Sequence, residues 1–337
     1  MPELGVAVLG ATGALGTELL ELLAEASWVH ELVPLASPAS KTFEISFRQR
    51  PHKVLNPSAE ALESVQLIFA VAPRGKQAEL LRQAAEAGCV VVDLSNDFAD
   101  TPANPVGALG LQAVELDGVA EAGLVVCPGP LALALAAVAA PLHEDFGITA
   151  LRGTAMMSAS AAGQRGIHEL SGQVAALFNS QDPPRVVFPE GLAFDLVPEQ
   201  GPVLGGWLRS ELEAVRHLSR LLGLPGDRFA LTQVMTPTFL GLGLSLHVTT
   251  ETPIDAEGAA GAFEAAPYVA LGAGRDLQPR SRSGQAQVRV GRLRSDPAGE
   301  GIHLWAATDP LRLAASNAVA VVEALMEGLL LSGRDAE

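Results

Sequence analysis

The feature that most constrains this chain is a run of three glycines, Gly10-Ala11-Thr12-Gly13-Ala14-Leu15-Gly16, set between two strongly patterned segments. Before it, Gly5-Val6-Ala7-Val8-Leu9 reads as a short buried strand. After it, Leu19, Leu20, Leu22 and Leu23 recur at helical spacing over residues 17–26. A glycine turn at a strand-to-helix junction suits a dinucleotide. Gly10 permits the tight turn, Gly13 lets a pyrophosphate approach the backbone, and Gly16 packs the helix on the sheet. The helix N-terminus adds N–H donors and the positive end of its dipole. The spacing is GxxGxxG, a variant of GxGxxG, and a ligand-free glycine turn is the competing reading.

Further strand-like runs cover 32–36, 43–47, 67–72 and 90–94, with an amphipathic helix over 76–87 that stops at Gly88. Strands alternating with helices mean βαβ units and a mostly parallel sheet, so the first half is α/β and Rossmann-like. Leu124-Val125-Val126 then leads through Cys127-Pro128-Gly129-Pro130 into an Ala/Leu helix. The second half places strands at 150–157, 229–235, 243–250, 286–294 and 302–308. Helices are expected at 164–178, 209–222 and 255–265, and a buried helix at 313–331 closes the chain. Long consecutive strands with helices to one side describe an α+β domain.

The chain has 337 residues, with 22 Lys and Arg against 38 Asp and Glu, a net charge of −16. Such acidity repels phosphate backbones and anionic lipid, so neither nucleic acid nor a membrane surface is an expected partner. The longest apolar run, residues 131–142, is too short for the roughly 20 residues of a membrane span. Two cysteines, Cys89 and Cys127, make no disulfide framework and no CxxC pair, which fits a reducing cytoplasm. The N-terminus has no basic, apolar signal pattern, and the expected location is cytoplasmic.

Nucleotide selectivity should sit at the end of the second strand, where an acid would bind the ribose of NAD. Here the segment Leu35-Ala36-Ser37-Pro38-Ala39-Ser40-Lys41 has no acid. Ser37, Ser40 and Lys41 could receive a 2′-phosphate, which favours NADP over NAD; an ordinary surface Ser/Lys loop reads the same.

Taken in order, the glycine turn, Leu35-Ala36-Ser37, Ala87-Gly88-Cys89-Val90-Val91-Val92-Asp93, Val290-Gly291-Arg292-Leu293-Arg294, Gly301-Ile302-His303-Leu304-Trp305 and Asp309 resemble the aspartate-semialdehyde dehydrogenase family nearly end to end. The resemblance implies a Rossmann-like NADP-binding domain of residues 1–129 plus 313–337, and an α+β dimerisation domain of 130–312. It also implies a homodimer.

The family's reactive positions are not kept. Its Asn-Cys pair falls on Gly129 and Pro130, and its arginine and catalytic histidine fall on Met235 and Leu242. Its phosphate-binding arginine becomes Ala99, and its glutamine becomes Met157. The lysine of its Glu-Glu-x-Lys helix becomes Glu213, although Glu211 remains, and the 2′-phosphate arginine becomes Ala39. Proline has no nucleophile, yet it is a preferred first helical residue. The pattern resembles the Usg-type branch, which lacks the active cysteine. The expectation is therefore a pseudoenzyme. The alternatives are a dehydrogenase for another small aldehyde or oxo compound, and a non-catalytic binding or regulatory partner.

Several side chains could rescue chemistry, and each has a plainer reading. Cys127 lies three residues before the lost nucleophile, but a buried strand-end thiol is inert. Cys89 reads as core, and Ser158 and Ser160 as loop hydrogen-bonders. His168 and Glu169 read as a solvated helix face, His247 as a satisfied core or interface histidine, and His303 as part of a structural strand. Asp93, Asp97 and Asp100 match no coordination template, and no metal is expected. Asn317 is expected either to close over the cofactor or to lie on an ordinary helix surface.

Overall fold

The structure is a computed structural model that describes residues 3–38, 40, 43–108, 116–297 and 299–332, with backbone only for 116–117 and 329–332. It divides into two compact units, Met1–Gly129 with Ala314–Glu337, and Pro130–Leu313.

The first unit contains β1 (Leu4–Leu9), α1 (Ala14–Glu25), β2 (Val29–Leu35), β3 (Glu44–Phe47), β4 (Arg50–Lys53), β5 (Leu67–Ala70), α2 (Ala78–Glu86), β6 (Val90–Asp93), α3 (Leu116–Ala122) and β7 (Leu124–Val126). Five strands form a parallel sheet in the order β2-β1-β5-β6-β7. Chain order reverses between β1 and β5, and the turn after β1 lies at this switch point, where α/β sheets bind ligands. The sheet is covered on both faces, as parallel strands require. Val6 and Val8 pack with Leu19 and Leu23 of α1 and with Ala315, Ala318 and Val321. Ala7 and Leu9 face the other way, toward Leu81 and Ala84 of α2. Pro34 is tolerated because β2 is an edge strand.

The run at 43–47 is a strand but does not join this sheet. It pairs with β4 as a separate antiparallel hairpin. Its turn residues, Arg48 and Gln49, both have positive φ, 48° and 62°, as a tight hairpin turn requires. Arg48 fixes that geometry by donating to the carbonyls of Ala24 and Ala26 at the end of α1 and of Val29 at the start of β2, at 2.9, 2.5 and 2.8 Å.

The second unit opens with α4 (Pro130–Phe146), followed by β8 (Ile148–Met157), α5 (Gly163–Phe178), β9 (Val203–Leu204), β10 (Trp207–Leu208), α6 (Arg209–Leu222), β11 (Phe229–Met235), β12 (Leu242–Thr250), α7 (Ala256–Ala265), β13 (Val269–Leu271), β14 (Val288–Ser295) and β15 (Gly301–Thr308). The apolar run becomes a core helix, with Leu131 to Ala139 and Leu142 buried. A six-stranded mixed sheet runs β11-β8-β12-β15-β14-β13. The last helix, α8 (Pro310–Ser332), starts three residues earlier than its apolar pattern suggests. Asp309 is the reason: its Oδ1 accepts the Leu311 and Arg312 N–H groups at 3.0 and 3.2 Å, an N-terminal cap.

Candidate functional site

The glycine turn is built as a phosphate-binding loop demands. Gly10 has φ 101°, and a Cβ there would come 2.8 Å from the Ala72 nitrogen. A Cβ at Gly16 would lie 2.2 Å from the Gly10 oxygen, so only glycine lets α1 approach the turn. Gly13 is different. It is exposed, its nearest neighbour would be the Gly10 oxygen at 3.3 Å, and as the N-cap it has no side chain to satisfy the first N–H groups of α1. That leaves an open, positive helix end beside Thr12, Ala14 and Leu15. Ala14 is itself buried and Leu15 half-buried, so backbone rather than side chains faces the opening.

The loop after β2 reaches this turn. The Ser40 hydroxyl donates to Thr12 Oγ1 at 3.1 Å, and the Ser40 N–H closes a turn on the Ser37 carbonyl at 2.9 Å. Ser37 is exposed. Ala39 and Lys41 lie outside the described residues.

Elsewhere in this unit, the candidates serve structure. Asp93 at the end of β6 is fully buried and accepts from the Ser95 N–H and hydroxyl and the Phe98 N–H, at 2.8, 2.6 and 3.0 Å. Burial pushes its carboxyl above the usual carboxylate range, against the pull of those hydrogen bonds. Ala99 packs in the core. Asp97 accepts the Gly75 N–H at 2.5 Å, and Asp100 pairs with Arg74. Cys127 is 1% exposed, and burial first, then the nearby Asp93 charge, drive its thiol pKa far up despite a hydrogen bond with Asn317. Burial and a raised pKa both lower a thiol's reactivity. Cys89 donates to the Val65 carbonyl at 3.0 Å, and burial raises its pKa too. Asn317 is buried rather than on a helix surface, and its Nδ2 donates to the Gly107 carbonyl at 3.0 Å.

In the second unit, three of the positions expected to align with the family's reactive residues are neighbours. Met235, Met157 and Leu242 are direct register partners across β11, β8 and β12, continued by Thr308 on β15. All four are buried. The segment after β11 folds over this row. Thr236 donates its N–H and hydroxyl to the Met157 carbonyl at 2.8 and 3.0 Å, and Ala159 and Ser160 donate to the carbonyls of Thr238 and Phe239. Ser158 and Ser160 are buried with their hydroxyls 2.9 Å apart. Pro130 is the half-buried first residue of α4.

Two helix acids, one of them expected on a solvated face and the other given no role, are internal ties. Glu169 is buried rather than solvated, and it accepts the N–H groups of Val186, Val187 and Phe188 at 3.0, 2.7 and 2.7 Å; His168 beside it is exposed. Glu211 accepts from Leu208 and Gln233 at 2.8 and 2.7 Å, which uses both of its oxygens. Sequence reading missed both because an irregular segment and a distant strand supply the donors.

A Rossmann-like parallel unit with a glycine turn at its switch point, joined to a mixed-sheet unit, defines a dehydrogenase-type chain. The comparisons sharpen that class. Residues 5–126 match the semialdehyde dehydrogenase NAD binding domain, and residues 139–313 match the semialdehyde dehydrogenase dimerisation domain. The chain belongs to the aspartate-semialdehyde dehydrogenase family. It is 31% identical to aspartate-semialdehyde dehydrogenase 2 of Vibrio cholerae, covering 96% of this chain and 98% of that protein. It is 32% identical to a USG-1 protein homolog of Azotobacter vinelandii, covering 97% and 98%. The crystal structure of aspartate semialdehyde dehydrogenase II of Vibrio cholerae, complexed with ASA, matches at a TM-score of 0.91 and 29% identity, covering 97% of this chain and 99% of that one.

Proposed function

We propose that this chain is a catalytically silent member of its family, a homodimer that binds NADP through its first unit and does not oxidise aspartate semialdehyde. The observation that carries the reading is the apolar row Met235–Met157–Leu242, where the family's arginine, glutamine and histidine are expected. No side chain in that row can take a proton or hold a carboxylate. Pro130, at the nucleophile's position, starts the helix and has neither thiol nor N–H. Ala99, at the phosphate clamp's position, is buried among apolar groups. An activated nucleophile and an oriented base each contribute orders of magnitude to rate. Cys127 is a poor substitute, because its thiol is buried and burial pushes its pKa up.

The nucleotide half rests on the turn. Its exposed Gly13 and the open end of α1 fit a pyrophosphate, and Ser37 and Ser40, with no acid at the end of β2, fit a 2′-phosphate. When bound, the nicotinamide would supply hydride chemistry; the residues of this chain bind and orient it.

Two measurements test the proposal. Calorimetric titration should show NADP binding, more tightly than NAD; no binding of either at millimolar concentration removes the nucleotide half. Incubation with aspartate semialdehyde, phosphate and NADP should produce no NADPH absorbance, and steady turnover would remove the silent half.

A further inference from the structure

Three metal-ligating side chains meet on the sheet of the second unit, away from the apolar row. His247 on β12 and His303 on β15 are direct register partners, so they share one face of the sheet. Their rings stack with centroids 4.3 Å apart and planes at 27°. Asp296 follows β14, and its N–H is tied to the Gly301 carbonyl at 2.8 Å. It accepts a hydrogen bond from His247 Nε2 at 2.9 Å. One donor atom from each residue lies within 4.8 Å of the other two, and all three residues are half-buried. Gly301 leaves the imidazole room, since a Cβ there would come 3.1 Å from His247 Nε2.

Two imidazoles and a carboxylate are the donor set of a zinc-class dication that keeps a position for water. Bonds of about 2.0–2.2 Å in a tetrahedron put donors about 3.4 Å apart. The widest pair must therefore close by no more than about 1.5 Å, a movement that side-chain rotation supplies. The backbone beneath is fixed, because Leu246, Val248, Ile302 and Leu304 are buried on the opposite face. Arg152 pairs in register with His247, and Arg294 with His303, and both are exposed. Their positive charge opposes a hard cation held by charge alone, so the affinity must come from the imidazole nitrogens.

We propose that His247, His303 and Asp296 form a binding site for a zinc-class divalent metal ion. The proposal is independent of nucleotide binding and of the chemistry at the apolar row. The test uses the full-length chain without a histidine tag, titrated with Zn2+ by calorimetry and with Co2+ as a visible-absorption probe. One equivalent of Zn2+ should bind, and Co2+ should give the absorption of a nitrogen- and oxygen-ligated ion. His303→Ala and Asp296→Asn should each weaken Zn2+ by at least about tenfold, the scale on which metal sites respond to lost support. Asp296→Asn keeps a hydrogen-bonding side chain in the turn, so unchanged circular dichroism and melting would separate lost ligation from lost folding. Absence of stoichiometric Zn2+ binding, or equal affinity in the wild type and both variants, would reduce the cluster to an ion pair and overturn the proposal.

Discussion

Gly13, the N-cap of α1, and Gly16, in its first turn, carry different burdens. Gly16 is a packing residue: a Cβ at this position meets the Gly10 oxygen at 2.2 Å and the Ala11 Cα at 2.9 Å, both backbone. Gly16→Ala should therefore cost about 1–3 kcal/mol by overpacking, read as a lower denaturant midpoint. Gly13 has φ −82°, and a Cβ there would press only on the Gly10 oxygen, at 3.3 Å, so Gly13→Val should lower that midpoint less than Gly16→Ala while weakening NADP by at least about tenfold. Equal loss of stability in both variants would mean the turn is only a packing device. Asp93 gives a pH signature. Its folded pKa is raised, so its contribution to stability is complete below its unfolded value of about 3.9 and is lost as pH rises through the folded one. The stability difference between wild type and Asp93→Asn should thus move against the wild type as pH rises above about 4. A flat difference would show that hydrogen bonding offsets burial.

At the scale of elements, periodicity marked most of the secondary structure, because buried strands and amphipathic helices write their burial into the sequence. Residues 229–235 and 209–222 form β11 and α6 with those same limits. What stayed hidden depends on partners distant in sequence. The hairpin of β3 and β4 is set by Arg48 bonding to the end of α1, and its turn contains no glycine to announce it. The glycine turn could be read as a site because its chemistry is local. The adjacency of Met235, Met157 and Leu242 could not, since strand register alone brings them together. Glu211 illustrates the same limit: an acid kept from the family pattern is here a bracket between α6 and β11. Glu211→Gln would set an amide N–H against a backbone N–H. It should lower stability by about 1–3 kcal/mol in chemical denaturation, without altering NADP affinity. A normal midpoint would show that these bonds are replaceable.

At the scale of the molecule, charge and apolar exposure pull in opposite directions. No helix among the described residues is long and apolar enough to cross a membrane. Yet the second unit presents Phe178, Val186, Phe194, Leu196, Val203, Leu204 and Trp207 to solvent, all within the span matched to a dimerisation domain. Phe178 and Phe194 meet edge to face at 5.9 Å, a preformed aromatic patch of the kind that anchors interfaces. Each chain carries −16, so two copies repel, and association must rest on apolar contact. Light scattering should therefore give a mass near twice 34.9 kDa. Raising salt from about 0.05 to 0.5 M should tighten the dimer by screening the repulsion, with no loss of apolar attraction. Phe194→Asp should weaken it by about 2 kcal/mol, roughly thirtyfold in dissociation constant, because it adds charge where an aromatic anchor was. A dimer that loosens with salt would instead be held by ion pairs, and one indifferent to Phe194→Asp would use another face.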